Sequence, residues 1–402
     1  MAEVERKRDK GWILLVFLAL KPIYIWDSGG LQICDLFLAA ASISLLVASR
    51  GSFRIPRKAI HTVVLFLVLC FYQVMVNLIW SAPTRMTLSK NSLYYIFNFV
   101  AFFVVLVIGY EIGVQALKRS LAIGTVIALS ITAFGLLFVN SGSRALGFFN
   151  NPNQLGYFAV LAFSFIILCE EQISKGLFYG MLVLATWETI ASGSKAAVIA
   201  LFVMYALYVF YANRQHSARR LIGQMLLVLV LGLGLYVLLY SDFSVITGNH
   251  TVAFVRRRLL RMSQENDSAL GSGRGYDRIR ELGVHVLWGV GEGAYDRFTV
   301  MQGKESHSSY VTLLVSYGLI GAVGYFVFFL QCVWHRGQRM KNLFLISGVL
   351  LYGVTHNGLR NTLLWMLLAV LLLEGVEQPQ QQVSDQGRFE MSRSFPKPGN
   401  PW

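Results

Sequence analysis

Residues 59–80 read AIHTVVLFLVLCFYQVMVNLIW, and no Asp, Glu, Lys or Arg falls between Lys58 and Arg85. A helix needs roughly 20 mostly apolar residues to cross the hydrocarbon of a bilayer, and this run supplies them. Similar runs lie on both sides of it, at 12–27, 31–49, 92–110, 121–139, 156–170, 176–192, 196–212, 221–240, 308–331, 342–355 and 359–375. The last two are short and can be read as one broken helix, so the expected number of transmembrane helices is eleven or twelve. Composition points the same way. The residues AVILMFWYC make up 55% of the chain, DEKR only 14%, and the mean hydropathy is +0.55. A soluble domain carries about 25% charged residues, so a string of water-soluble domains is excluded. The expected fold class is an all-α, polytopic integral membrane protein. In a soluble protein the net charge of +14 would raise nucleic-acid binding. Here the cations are divided between two sides of a membrane, and no nucleic-acid partner is expected.

Sidedness follows from Lys and Arg in the short connections. With the amino terminus MAEVERKRDK read as a retained cytoplasmic end, the inside connections hold Arg50, Arg54, Arg57, Lys58, Lys118, Arg119, Lys175, Arg214, Arg219, Arg220, Arg336, Arg339 and Lys341. The short outside connections hold only Arg85, Lys90, Arg144, Lys195 and Arg360. Both ends are then cytoplasmic. The chain divides into transmembrane helices one to nine (1–240), a long external loop with short helices (241–307), transmembrane helices ten to twelve (308–375), and a cytoplasmic tail (376–402) whose composition reads as disordered. Cys34, Cys70, Cys169 and Cys332 all lie in or beside apolar runs, so no disulfide framework is expected. Lys21 and Asp35 are expected to pair between the first two spans.

The loop carries eight Arg, one Lys and eight acidic residues. Long loops translocate whatever their charge, and loops of this length are commonly functional. Residues 251–261 and 276–287 have helical character, between glycine-rich turns at 271–275 and 289–293. The polar residues that hydropathy does not explain gather on this same outer side. Arg144 precedes GFFNNPNQLG (147–156), Lys195 ends SGSK (192–195), and the loop adds SGRGYDRIREL (272–282) and GVGEGAYDRF (289–298). His307 opens HSS at the start of the tenth span, and His356 and Arg360 lie in THNGLRN at the last outer turn. Asn151-Pro152-Asn153 has a plainer reading as a helix cap followed by a first-turn proline. One cationic, histidine-bearing site is the economical reading. Histidine suits a base near neutral pH, and arginine suits an anionic leaving group because it stays charged and grips oxygens in pairs. No D-x-D string and no clustered His/Cys set occurs, so no metal and no other cofactor is expected.

At HSSYVTLLVSYGLIG the chain resembles the O-antigen polymerase and O-antigen ligase superfamily of bacterial envelope glycosyltransferases. That family carries a histidine followed by Asn, Ser or Gln, nine residues, and G-x-x-G; His307, Ser308, Gly318 and Gly321 fit without gaps. The family's preceding G-x-G turn is similar to Gly289-Val290-Gly291. Its loop Arg-x-x-x-Leu matches Arg278 to Leu282, with Arg274 as a competing match for the arginine. The resemblance covers about residues 90–375. Where members often have Ser-Arg between two central spans, this chain has Ser194-Lys195, and lysine meets phosphate as a point charge without a bidentate fork.

The resemblance implies a GT-C-like, inverting, metal-independent glycosyltransferase in the bacterial inner membrane, with its active site facing the periplasm. Undecaprenyl-diphosphate-linked glycans would be donor and acceptor, in contact with membrane lipid, and a chain-length regulator and a flippase would be its protein partners. His307 would be the base or would orient the acceptor hydroxyl, and Arg274 and Arg278 would stabilise the diphosphate. Lys195, Arg360, Arg144, Asn153 and His356 would bind or shape the substrate. The strings GVGEGAYDRF and ESHSS favour a polymerase of O-antigen or exopolysaccharide repeats over a ligase that transfers the glycan to lipid A-core or another acceptor. A lipid or sugar transporter is the competing class. It would place polar groups near the bilayer midplane or show repeated halves, and neither pattern is visible here.

Overall fold

The computed structural model describes residues 9–26, 30–84, 89–139, 146–215, 272–293, 298–299, 305–335 and 337–376. Arg144, the expected span at 221–240, the expected helix at 251–261 and the tail lie outside them. Among the described residues there is no strand. The helices are α1 (Trp12–Leu20), α2 (Ile33–Ala48), α3 (Ile60–Thr84), α4 (Ser89–Ile112), α5 (Val114–Phe134), α6 (Pro152–Leu168), α7 (Lys175–Ala191), α8 (Lys195–Gln215), α9 (Ser309–Val333), α10 (Arg339–Thr355) and α11 (Thr362–Val376). By length and composition four segments can cross a membrane: Arg57–Trp80, Asn91–Ile112, Val114–Val139 and Ser309–Val333. Ile33–Ala48, Pro152–Leu168, Lys195–Tyr211 and Thr362–Val376 are shorter apolar helices.

Local chemistry sets the helix ends. The first expected span, 12–27, is helical only to Leu20, with Lys21 still at helical angles as its cap, because Pro22 offers no amide to carry the helix further. The chain that follows is stitched by Gln32, whose side chain accepts from the amides of Ile25 and Trp26 and donates to the Trp26 carbonyl. Asp35 accepts from the Gln32 amide at 3.0 Å and pairs with Lys21 at 3.5 Å, joining the end of α1 to α2 as expected. At α6 the Asn151 side chain accepts from the Asn153 amide at 2.8 Å and Pro152 takes the first helical position, so the NPN string does act as a cap.

Two helices form the centre. From Leu363 to Leu373 every residue of α11 is at most 1% exposed, and α6 is buried from Leu155 to Leu168. A helix that is apolar all round belongs inside a bundle. Trp365 of α11 stacks on Phe66 of α3 with centroids 4.7 Å apart, and its indole N–H donates to the Leu359 carbonyl at 2.7 Å. α7 and α10 pack on α6, α1 on α5, and α9 on α3. The outer faces remain apolar: Val47, Phe71, Phe138, Phe202 and Phe326 are each more than 60% exposed, a surface that water does not tolerate in such quantity. All four cysteines are buried and unpaired.

α10 and α11 run antiparallel. Lys341, near the start of α10, meets Glu374, near the end of α11, at 3.2 Å, and Lys118 of α5 meets the same carboxylate at 2.8 Å. Lys118 and Lys341, two of the cations that the charge pattern assigns to inside connections, thus meet at one end of the bundle. His307 and His356 are at the other, where α9 begins and α10 ends.

Candidate active site

Gly318 decides how the site is built. It sits within α9 at φ 65° and ψ −169°, a backbone region that is essentially closed to residues with a Cβ. The break frees three carbonyls, and each finds a new partner. The Val315 carbonyl accepts from the Val290 amide at 3.0 Å, the Ser316 carbonyl from the Gly291 amide at 2.9 Å, and the Tyr317 carbonyl from the Tyr72 hydroxyl at 3.0 Å. In return the Ile320 amide donates to the Leu287 carbonyl at 3.0 Å. Approach is backbone to backbone. A Cβ on Gly289 would lie 2.3 Å from the Ser316 carbonyl oxygen, and one on Gly318 would lie 2.4 Å from the carbonyl of Leu287. The G-x-G turn and the first glycine of G-x-x-G are therefore two halves of one joint.

That joint delivers Glu292 into the bundle, where it is 1% exposed. Its Oε2 accepts from the hydroxyls of Tyr95 (3.1 Å) and Tyr317 (2.8 Å), and its amide donates to Asn77 Oδ1 at 2.9 Å. Its Oε1 accepts from Arg360 Nε at 3.1 Å and from Arg360 Nη2. Nη2 also pairs with Glu305, and the guanidinium lies 5.5 Å from the Tyr94 ring centre. A buried carboxylate is stable only when paired and hydrogen-bonded, and Glu292 is.

His307 lies two residues beyond Glu305, ahead of the cap of α9. Ser308 supplies that cap by accepting from the Val311 amide at 3.4 Å, and it donates to the Gly353 carbonyl at 3.1 Å. Ser309 donates to the His356 carbonyl and accepts from the Gly358 amide. The two serines of HSS thus fasten the start of α9 to the turn between α10 and α11. Tyr276 reinforces the same joint, donating to the Val354 carbonyl at 2.9 Å.

The resulting cluster is cationic. His307 is exposed to solvent, yet its pKa lies below the ordinary histidine value. Desolvation is the largest cause, the Arg274 charge comes next, Glu305 opposes, and Arg278 adds to the lowering. His356 is pushed down to about 4 by burial, then by Arg274 and His307. Both rings are therefore neutral near pH 7, and His307 has a lone pair to accept a proton. Arg278 is fully buried, donates to Ser306 Oγ at 2.8 Å and lies 5.2 Å from the Phe298 ring centre; Arg274 is part-exposed. The loop segment 276–287, expected to be helical, forms two short 3₁₀ turns, Tyr276–Glu281 and Gly283–Val286.

Compared with protein-family models and with curated protein sequences, the chain matches none. The site therefore rests on its own geometry. That geometry brings Arg274 and Arg278 within electrostatic reach of His307, and Arg274 and His307 within reach of His356, and joins Arg360 to them through Glu305. Asn153 connects through its backbone: its carbonyl accepts from the Tyr352 hydroxyl at 2.8 Å, and the Tyr352 ring stacks on His356 at 4.6 Å. Lys195 opens α8 at the turn that abuts α6, since a Cβ on Gly156 would meet Ser192 Oγ at 2.8 Å. It shares the end of the bundle with His307 and His356. Glu292, Glu305, Tyr95, Tyr317 and Asn77 were not expected from sequence. The available signal was an acid between the glycines of GVGEG, fifteen residues ahead of the motif histidine.

Proposed function

We propose that this chain is a membrane glycosyltransferase of GT-C-like architecture that polymerises O-antigen or exopolysaccharide repeat units carried on undecaprenyl diphosphate. In this reading the eleven or twelve expected spans cross the bacterial inner membrane, and the 241–307 loop faces the periplasm. The observation that supports it is the placement of a neutral, solvent-facing His307 beside Arg274 and Arg278 at the head of α9. His307 takes the proton of an acceptor hydroxyl as that oxygen bonds to the anomeric carbon. The bond from that carbon to the diphosphate oxygen breaks on the opposite side, which inverts the centre. Negative charge then develops on the leaving diphosphate, and preorganised guanidinium groups stabilise it where it forms. Arg360, Lys195, Arg144, His356 and Asn153 bind or frame the substrate. A flippase supplies the lipid-linked repeats, and a chain-length regulator acts on the product.

The test is the glycan profile of a deletion strain, resolved by gel. Loss of long chains, with a single repeat still attached to lipid A-core, is the expected result. Loss of every attached repeat, with polymer accumulating on the lipid carrier, would assign the chain to ligation instead. An unchanged profile would sink both and return attention to transport.

A further inference from the structure

Arg360 is held by two carboxylates of different character. Glu292 is fixed: its side chain is 1% exposed, two tyrosine hydroxyls hold its other oxygen, and its amide is tied to Asn77. Moving it breaks all of these bonds at once. Glu305 pairs with the same Arg360 Nη2, but its side chain is 39% exposed. It can turn into solvent by rotating its own torsions, and no hydrogen bond inside the bundle depends on it in the way Tyr95 and Tyr317 depend on Glu292. The guanidinium also lies 5.5 Å from the Tyr94 ring centre, so an arginine that gives up Glu305 is still positioned by Glu292 and Tyr94. A guanidinium edge accepts carboxylate and phosphate oxygens in the same geometry.

We propose that Glu305 is a placeholder anion on Arg360, displaced when a phosphate oxygen of a polyprenyl diphosphate binds, and that Glu292 is the positioning residue that keeps Arg360 in place for this exchange. The identity of the anion rests on the reading under Proposed function. The exchange itself rests on the two carboxylates. It replaces one anion by another on a part-exposed edge of Arg360, so the charge count at the cation is unchanged by the exchange. It also links substrate entry to the catalytic histidine, because Glu305 and His307 are separated by one residue, Ser306, whose hydroxyl accepts from Arg278.

The experiment uses the full chain in lipid nanodiscs and measures binding of undecaprenyl diphosphate, undecaprenol and inorganic pyrophosphate. Glu305→Gln removes the competing charge from a part-exposed position without disturbing the core. It is expected to tighten undecaprenyl diphosphate binding by about fivefold, the scale of a part-exposed ion pair. Glu292→Gln is expected to weaken binding by tenfold or more on the order of a lost charged anchor, and Tyr317→Phe to weaken it less. In an Arg360→Ala background Glu305→Gln is expected to change nothing. The proposal is overturned if Glu305→Gln leaves affinity unchanged or lowers it, or if its effect survives in the Arg360→Ala background. Equal binding of pyrophosphate and the lipid overturns the assignment to a lipid headgroup. If the unsubstituted protein binds undecaprenyl diphosphate no better than undecaprenol, the proposed donor falls along with the exchange, an outcome distinct from failure of the glutamate variants alone.

Discussion

Replacing Gly318 by alanine tests whether the break in α9 builds the site. The new Cβ would stand 2.4 Å from both the carbonyl carbon and the carbonyl oxygen of Leu287 and 2.5 Å from the Trp288 amide nitrogen. These are backbone atoms, so no side-chain rotation relieves the contact, and the native φ of 65° is itself strained for alanine by about 1–3 kcal/mol. The segment 287–291 must lift away. That forfeits the three backbone bonds Val290 to Val315, Gly291 to Ser316 and Ile320 to Leu287, at about 1 kcal/mol each. The whole cost is about 4–6 kcal/mol. The assay is amide hydrogen exchange on the protein in detergent, read at Val290 and Gly291. Losing about 3 kcal/mol of docking free energy corresponds to exchange roughly a hundredfold faster at those amides. Gly180→Ala is the control, since its Cβ meets nothing within 4 Å, and helix propensity favours alanine there by up to about 1 kcal/mol. Protection at Val290 and Gly291 that persists in Gly318→Ala would refute the docking argument, and with it the claim that this joint delivers Glu292 to Arg360.

Other consequences follow from the packing and the charges. His307→Ala should abolish polymer formation in membranes at unchanged protein level. In the unsubstituted enzyme the rate should fall only as pH drops below the ordinary histidine range, because the His307 pKa is lowered and its active form is the neutral one. Replacing Glu305 by Gln, which removes the one contribution that raises that pKa, should move the acid limb of the rate profile further down. Trp365→Ala, in the centre of the bundle against Phe66, should cost about 3–5 kcal/mol, measured by unfolding in mixed micelles. Glu374→Ala should destabilise more than the double change Lys118→Met with Glu374→Leu. The single change leaves the buried Lys118 charge without its 2.8 Å partner, whereas the double change removes both buried charges and leaves only the part-exposed Lys341, which loses Glu374 in either variant.

How far the sequence could be read depended on the range of the physics involved. Apolar runs are local, and each run within the described residues became helix because its own side chains and a capping or breaking residue beside it decide the matter. Pro22 shortened α1 by the same local rule. The central place of α6 and α11 was not legible, because α3 and α9 are as apolar all round as α6 and only packing decides which helix is enclosed. His307 was visible because an ionisable group at the head of an apolar run stands out, whereas Arg274 and Arg278 were singled out by the resemblance of their loop segment to a family element. The G-x-G turn and the glycine of G-x-x-G were visible only as letters; their physical content is that two backbones touch, and contact between segments almost thirty residues apart has no local signature. Glu292 shows the limit most clearly. In a loop whose nine cations face eight acids, each acid reads as a solvated partner for some nearby arginine. Its actual cation is Arg360, 68 residues away, and its other partners come from α3, α4 and α9. Pairing at that distance is a product of the fold: only after α9 is broken and the loop docked does a buried position exist that needs a carboxylate. Charge complementarity can therefore be enumerated from sequence, but it is assigned by packing, and the acid that holds a functional cation is found by asking which one the core has desolvated.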